Sequence, residues 1–374
     1  MNEIETVYNN LLLHSNSVSQ KDLSLFSGCA GDILLLNDLF RHHEEDRFRD
    51  SINVCIDYVL DRAEEINGIS FSSGLCGVLY SLLSVKDTVD VDLPDLDDLD
   101  SVIWEQVDQA FCTGNYDLQS GLVGYGLYYL KLSEISEKHR DRVRDICKKI
   151  CSLLVTQQDR IILPYRLEAH PLFAKDALWT NNGFLHGVNS VIAFFLICIK
   201  SGVYDQQIIE ITLKLLNLEM SLYDEQQVSY PMAYMYDSQL ELILDKRKTG
   251  LYYCTGDYGI INNFLKASEL FDDQAFLRTA RDSYNRIIRR LQTGETNKEL
   301  CFCHGKATLV YFTERLRKLS DNNTYSCDRE RFEITNSLAS TAGDASVLNG
   351  DNGINMALLS KHMNCSLERV LLLR

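Results

Sequence analysis

The sequence predicts an all-α chain in which seven helical hairpins close into a double ring, an α/α toroid. Three observations lead to it: an apolar segment opened by glycine that recurs seven times, amphipathic segments between the copies, and four prolines that all fall between repeat cores. A chain of 374 residues is long enough for two ordinary domains or one large repeating domain. A repeat that spans it favours one domain over residues 1–374.

The copies read SGCAGDILLL from Ser27, SGLCGVLYSLL from Ser73, SGLVGYGLYYL from Ser120, HGVNSVIAFFL from His186, TGDYGIINNFL from Thr255, HGKATLVYF from His304 and NGDNGINMALL from Asn349. Their leading glycines, Gly28, Gly74, Gly121, Gly187, Gly256, Gly305 and Gly350, are separated by 46, 47, 66, 69, 49 and 45 residues. Four units therefore share one length, and the third and fourth intervals carry insertions.

Asn2 to Leu13 supplies the outer partner of the first copy. Further along, Phe48, Ile52, Ile56, Val59 and Ala63 share one helical face, as do Val143, Ile146, Ile150 and Leu153, and Leu277, Ala280, Tyr284, Ile287 and Leu291. The segments that open at the glycines are apolar nearly all round, as helices buried on every side must be, whereas the intervening ones keep a charged face. One set is inner and the other outer. An open solenoid of the same hairpins needs polar capping repeats, which the sequence does not show. Pro94, Pro164, Pro171 and Pro231 interrupt no helix interior. The two insertions, near residues 157–182 and 223–250, are expected to form loops or short strands that cover the site.

In a closed ring every glycine motif arrives at one end and brings seven helix N-termini together. Glycine there allows close backbone approach and unusual φ angles, and the aligned dipoles favour negative charge at that mouth.

A formal net charge of −16 and only short basic clusters argue against nucleic acid as a partner. Met1 to Ser15 lacks the features of an export signal. The apolar stretch Val191 to Ile199 is about half of a membrane span, so no transmembrane segment is expected. Twelve scattered cysteines are not the pattern of a secreted disulfide scaffold. The expectation is a cytoplasmic protein whose cysteines, Cys55, Cys147, Cys151 and Cys198 among them, are mostly buried and inert.

Three repeats replace the small residues ahead of the glycine with metal-binding types: Cys254 in YYCTGDYG, Cys303-His304 in CFCHGKAT, and His186 in FLHGVNS. Successive residues in a helix body point about 100° apart. Cys303 and His304 can therefore share one ion only at a helix start or loop, which is where the repeat puts them. Two thiolates and an imidazole suit Zn²⁺ and leave its fourth position open, the pattern of a catalytic site. Cys301 is a competing donor by spacing alone, and structural burial of each cysteine is the alternative.

With these motifs the sequence resembles the lanthionine cyclases, the LanC family, over all seven repeats. That family has a toroid of seven glycine-containing repeats and a zinc site built on Cys-x-Gly followed by Cys-His-Gly, here Cys254-Thr255-Gly256 and Cys303-His304-Gly305. The resemblance adds Asp117, just before the third glycine motif, and His186 in the fourth as further site residues. It departs in placing Gly250 where the family often has arginine, and Thr255 where it has tyrosine; Arg247 and Lys248 are the nearby cations. Ser190 and Thr308 replace the second glycine of their motifs.

The activity that the resemblance implies is addition of a peptide cysteine to dehydroalanine or dehydrobutyrine in the same peptide, forming a thioether ring. Zn²⁺ held by Cys254, Cys303 and His304 is then the expected cofactor, and His186 the acid that protonates the α-carbon. Asp117 either orients that histidine or accepts the thiol proton; a helix N-cap is its bland alternative. The implied partners are a dehydrated precursor peptide with its leader and a lanthipeptide dehydratase. Three alternatives remain at this level: a glutathione-handling relative, a zinc-dependent prenyltransferase that would need a basic pyrophosphate pocket, and a non-catalytic peptide-binding scaffold.

Overall fold

Fifteen α-helices and five short strands form the described part of the computed structural model, residues 3–16, 22–157, 160–166, 171–173, 177–226, 228–237, 239–245, 247, 249–295, 297–317, 326–340 and 344–374. Seven helices open at the glycines: α2 (Cys29–His43), α4 (Leu75–Val85), α6 (Leu122–Leu132), α8 (Val188–Lys200), α10 (Asp257–Phe271), α12 (Lys306–Leu316) and α14 (Asp351–Leu359). Each follows an amphipathic helix: α1 (Glu3–Asn16), α3 (Asp46–Asp61), α5 (Leu96–Thr113), α7 (Glu137–Leu153), α9 (Gln206–Ser221), α11 (Gln274–Gln292) and α13 (Asp328–Ser340). A short α15 (Ser366–Val370) follows the last inner helix. None of the described helices is long and apolar enough to cross a membrane.

Burial follows the two kinds of sequence pattern. In α8 every residue from Val188 to Ile199 is buried, whereas α7 buries a stripe that includes Val143, Ile146, Ile150 and Leu153. On α11 the expected stripe is buried at Ala280, Tyr284, Ile287 and Leu291, and only at its start is Phe276 buried in place of the half-buried Leu277. Ala63 falls beyond α3, in a 3-10 turn.

The two sets of helices also begin differently. Asp205 and Asp273 cap α9 and α11, their carboxylates accepting the amides of Ile208 (3.1 Å) and Ala275 (2.7 Å). None of the inner helices has a side-chain cap. In five of the seven the preceding loop folds back instead, so that the amide just after the glycine donates to the carbonyl seven residues earlier. The pairs are Cys29 to Asp22 (2.9 Å), Leu75 to Gly68 (3.1 Å), Leu122 to Asn115 (3.1 Å), Lys306 to Glu299 (2.8 Å) and Asp351 to Asp344 (2.6 Å).

The glycine itself lies under that returning strand of backbone. A Cβ at Gly187 would stand 2.3 Å from the Asn181 carbonyl oxygen, and one at Gly305 would stand 2.4 Å from that of Cys301. Its backbone is extended, with φ of −123° at Gly187 and −112° at Gly305. Close approach, rather than an unusual φ, is therefore what requires glycine here. Much of the N-terminal donor capacity that would face an anion is already used by the loop's own carbonyls.

Contacts group the chain into two compact units, Met1–Ile103 with Asn297–Leu371, and Trp104–Thr296 with Leu372–Arg374. In the first unit the earliest and latest repeats are neighbours, since α1 packs on α13 and α14, and α2 packs on α14 and α15. Polar groups tie them. The amide of Asn10 donates to Asp351 Oδ2 (2.9 Å), and the ring nitrogens of His14 lie 3.4 Å from Asp32 Oδ1 and 3.2 Å from Asp351 Oδ2. Asp38 accepts both the amide and the hydroxyl of Ser366 at 2.6 Å. An open solenoid would leave its first and last repeats apart.

In the second unit α6 packs on α7 and α8, α8 on α9 and α10, and α10 on α11. The insertions carry the strands. β1 (Val155–Gln157) and β2 (Arg160–Ile162) form a hairpin, and β3 (Trp179–Asn181), β4 (Ala233–Tyr236) and β5 (Leu242–Leu244) form an antiparallel sheet in that order. Because Thr180 lies opposite Tyr234, β3 of one insertion and β4 of the other meet in one sheet.

Two buried carboxyls make stability depend on pH. Burial pushes Asp38 up to about 7 and Glu219 up to about 8, from ordinary values of 3.8 and 4.5. Each group then binds its proton more tightly in the folded chain. Its stabilising contribution is complete below the unfolded value and is lost as pH rises through the folded one. Urea midpoints should accordingly fall between about pH 5 and pH 8, and Asp38→Asn and Glu219→Gln should each flatten that decline. Slopes unchanged by both substitutions would show that these carboxyls ionise normally.

Candidate functional site

The loops before the inner helices are joined to one another through backbone hydrogen bonds. In the first unit Phe26 donates to Ser72 (2.9 Å), Val347 to Phe26 (2.6 Å) and Cys303 to Leu348 (2.8 Å). In the second unit Leu118 donates to Leu185 (3.2 Å), and both Phe184 (2.8 Å) and Leu185 (3.2 Å) donate to Cys254. Every acceptor stands two residues before its glycine. Cys254 and Cys303 occupy that same position in their repeats, so each sits on backbone pinned to the next loop. His186 and His304 occupy the following position, immediately before Gly187 and Gly305.

The cysteines separate by exposure. Cys254 and Cys303 are half-buried, whereas Cys301 is buried with its backbone beneath Gly305. Cys301 is thus the most enclosed of the three thiols. Of the cysteines expected to be inert, Cys55, Cys147 and Cys198 are buried, and Cys151 is half-buried but raised to about 12 by burial. The Cys151 thiol therefore carries almost no thiolate near neutral pH.

His186 and Asp117 come together within the second unit. His186 Nδ1 lies 3.3 Å from Asp117 Oδ2, with the imidazole side chain 39% exposed and the carboxylate 7% exposed. The other carboxylate oxygen accepts the amide of Ser120 at 2.7 Å, and the Asp117 amide donates to Asn115 Oδ1 at 3.1 Å. Asp117 thus serves both its own turn and the histidine of the next repeat. It does not cap α6, whose N-cap is Gly121 and carries no side-chain cap.

Around Cys254 the fold explains the departures from the family pattern. A Cβ at Gly250 would lie 2.3 Å from the ring of Tyr252, so a long side chain there requires that ring to move. Arg247 is held by Asp245 through contacts of 2.5 to 3.0 Å, and Lys248 lies outside the described residues. Ser190 donates its hydroxyl to the Gly187 carbonyl at 2.8 Å, which satisfies the polar atom that replaces a glycine. The start of α10 is fixed by a buried ion pair in which Arg290 reaches Asp257 at 2.7 Å and the Thr249 carbonyl at 2.6 Å. Asp257 is raised to about 6, because burial outweighs the opposing pull of Arg290. The periodicity of α11 gave no sign of Arg290 beyond a cation on an apolar stripe.

Among the described residues no group of three or more His, Cys, Asp or Glu stands close enough to hold a metal ion. What fits Zn²⁺ is the chemistry of the donors: two half-buried thiols at one register and a half-buried imidazole at the next.

Three comparisons bear on these residues. The sequence model of the family described as "Lanthionine synthetase C-like protein" matches residues 19–364. No curated protein matches the chain in sequence. Among solved structures, nisin cyclase superposes with a TM-score of 0.73 at 17% identity, covering 99% of this chain and 97% of its own. An inactive variant of an α-1,6-mannanase from Salegentibacter sp. HEL1_6, in complex with α-1,6-mannotriose, gives a TM-score of 0.50 at 10% identity, covering 100% and 98%. The fold is therefore the α/α toroid of nisin cyclase.

Exposure yields a labelling pattern. Native protein treated with iodoacetamide should be modified at Cys112, Cys254 and Cys303, while the eight buried cysteines and Cys151 resist. Added Zn²⁺ should protect Cys254 and Cys303 and leave Cys112 reactive. Unchanged labelling of Cys254 or Cys303 at saturating Zn²⁺ would overturn the donor assignment.

Proposed function

Because the chain belongs to the lanthionine synthetase C-like family, we propose that it is a cyclase that adds a cysteine thiol of a dehydrated precursor peptide to a dehydroalanine or dehydrobutyrine of the same peptide. The support lies in the register: the residues matching the family motifs occupy equivalent positions, and His186 is bonded to Asp117 at 3.3 Å. A peptide substrate is also consistent with the likeness to nisin cyclase. The peptide would arrive from a dehydratase acting on Ser and Thr, with its leader still attached.

Cys254, Cys303 and His304 are the residues that would hold Zn²⁺. When bound, the ion deprotonates a substrate thiol near neutral pH, where a free cysteine with a pKa of about 8.5 is mostly protonated. The remaining chemistry belongs to the chain. Asp117 faces Nδ1 of His186 and thereby leaves Nε2 for proton transfer. As sulfur bonds to the β-carbon, the π electrons of the dehydro residue move toward the α-carbon and its carbonyl. His186 delivers a proton from Nε2 to that α-carbon and is restored by the proton that the thiol gave up. Bonds and protons balance, so the peptide changes connectivity without changing mass.

His186→Ala and His304→Ala should fail in different ways, although the two histidines hold equivalent positions. His304→Ala should lose bound zinc and cyclisation together. His186→Ala should keep its zinc and slow ring closure by about 10²- to 10⁴-fold, the usual contribution of a general acid. Metal analysis beside an alkylation assay of the free peptide thiol reads both. Wild-type closure rates in zinc-replete His186→Ala would remove this residue from the mechanism.

A further inference from the structure

Beneath the loop that presents His186 lies a layer of polar side chains inside an otherwise apolar hairpin. Glu219 on α9 is 1% exposed, and its carboxyl hydrogen-bonds to Asn182 and Asn189. Asn189 Nδ2 donates to the carbonyl (3.0 Å) and side-chain oxygen (3.1 Å) of Asn182. Asn263 on α10 donates in the same way to the carbonyl (2.9 Å) and side-chain oxygen (3.0 Å) of Asn189. Asn182 Nδ2 reaches the Pro231 carbonyl at 3.1 Å, which ties in the second insertion.

Stability alone does not account for a carboxyl at this position. Glu219 Oε2 has no partner among the described atoms, and a buried polar atom left unsatisfied is destabilising, whereas an apolar side chain of the same size would not be. The layer does, however, control one piece of backbone. Asn182 heads the turn that ends at Gly187, and Asn181 Oδ1 accepts the Gly183 amide at 2.8 Å. The middle of the turn rests on Cys254, whose carbonyl accepts both Phe184 and Leu185. His186 follows directly and meets Asp117. Glu219 therefore stands at the fixed end of the segment whose middle is pinned to the Cys254 backbone and whose end carries His186.

We propose that Glu219 is a positioning residue for His186, acting through Asn182 and Asn189 to fix the loop that presents the imidazole. The role rests on the assignment of His186 as the proton donor. Burial holds Glu219 protonated near neutral pH, at about 8. Glu219→Gln is then the conservative change, keeping shape, neutrality and the hydrogen-bonding oxygen. Glu219→Leu keeps the volume and removes the bonds.

Amide hydrogen exchange, read by mass spectrometry or NMR on the full chain without substrate, tests the anchoring directly. In Glu219→Leu, exchange at Phe184 and Leu185 should accelerate by about tenfold or more, while the amides of Val191 to Ile199 in α8 keep their wild-type rates. Glu219→Gln should leave both sets unchanged. Exchange that rises equally through α8, or that does not rise at Phe184 and Leu185, would overturn the proposal. Because no substrate is present, either outcome stands whether or not the chain closes thioether rings. With a dehydrated peptide, Glu219→Leu should lower kcat about tenfold at a preserved KM and preserved zinc content. Wild-type kcat in that variant would also overturn the positioning role.

Discussion

The return of a backbone carbonyl onto the glycine that opens each inner helix is the constraint on which the rest depends. An inner helix begins in a buried place where its first amides must find acceptors. The loop supplies them from its own chain, as in the bond from Lys306 to Glu299 at 2.8 Å. Side chains just ahead of the glycine are thereby released from capping. They can change type without loss to the helix: Cys254 and Cys303 stand two residues before their glycines, and His186 and His304 one before. Bonds between neighbouring loops then hold these positions still. Cys254 serves as a double acceptor and Cys303 as a donor in this set.

A second feature fixes inner helices against amphipathic ones by charge. The residue just after the glycine is Asp257, Lys306 and Asp351 in the last three repeats. Asp257 is held by Arg290 of α11, Lys306 by Glu333 of α13, and Asp351 by His14 of α1. Among these pairs the one between Arg290 and Asp257 is buried, and breaking such a pair is costly, by about 3–5 kcal/mol, although it contributes little net stability relative to apolar packing. They specify which helix lies where. The pair at Asp257 also secures the start of α10, three residues beyond Cys254.

The sequence made the repeat, the two kinds of helix and the strands of the insertions legible, because each follows from periodicity or from proline and glycine placement. Asp117 was marked as a site residue by the family resemblance alone, and His186 by its place in the repeat as well. Other features were hidden for physical reasons. At the start of α11 Phe276 rather than Leu277 is buried, stacked on Phe264 with ring centroids 6.3 Å apart. The close-approach role of the glycines and the capping by loop carbonyls are backbone events with no side-chain signature. Glu219, Arg290 and His14 read as ordinary polar residues on amphipathic helices, and only tertiary packing shows that they are buried.

The central claim is that residues freed from capping at the mouths of the fifth and sixth repeats carry out thiol addition. Its most direct measurement uses a synthetic peptide with one cysteine and one dehydroalanine, incubated with the purified zinc-loaded chain and followed by mass spectrometry after alkylation. The account predicts that the alkylatable thiol disappears while the peptide mass stays constant, and that Cys254→Ala abolishes the effect. A thiol that persists as in the protein-free control, with dehydrated peptides of several sequences and with zinc bound, would contradict it.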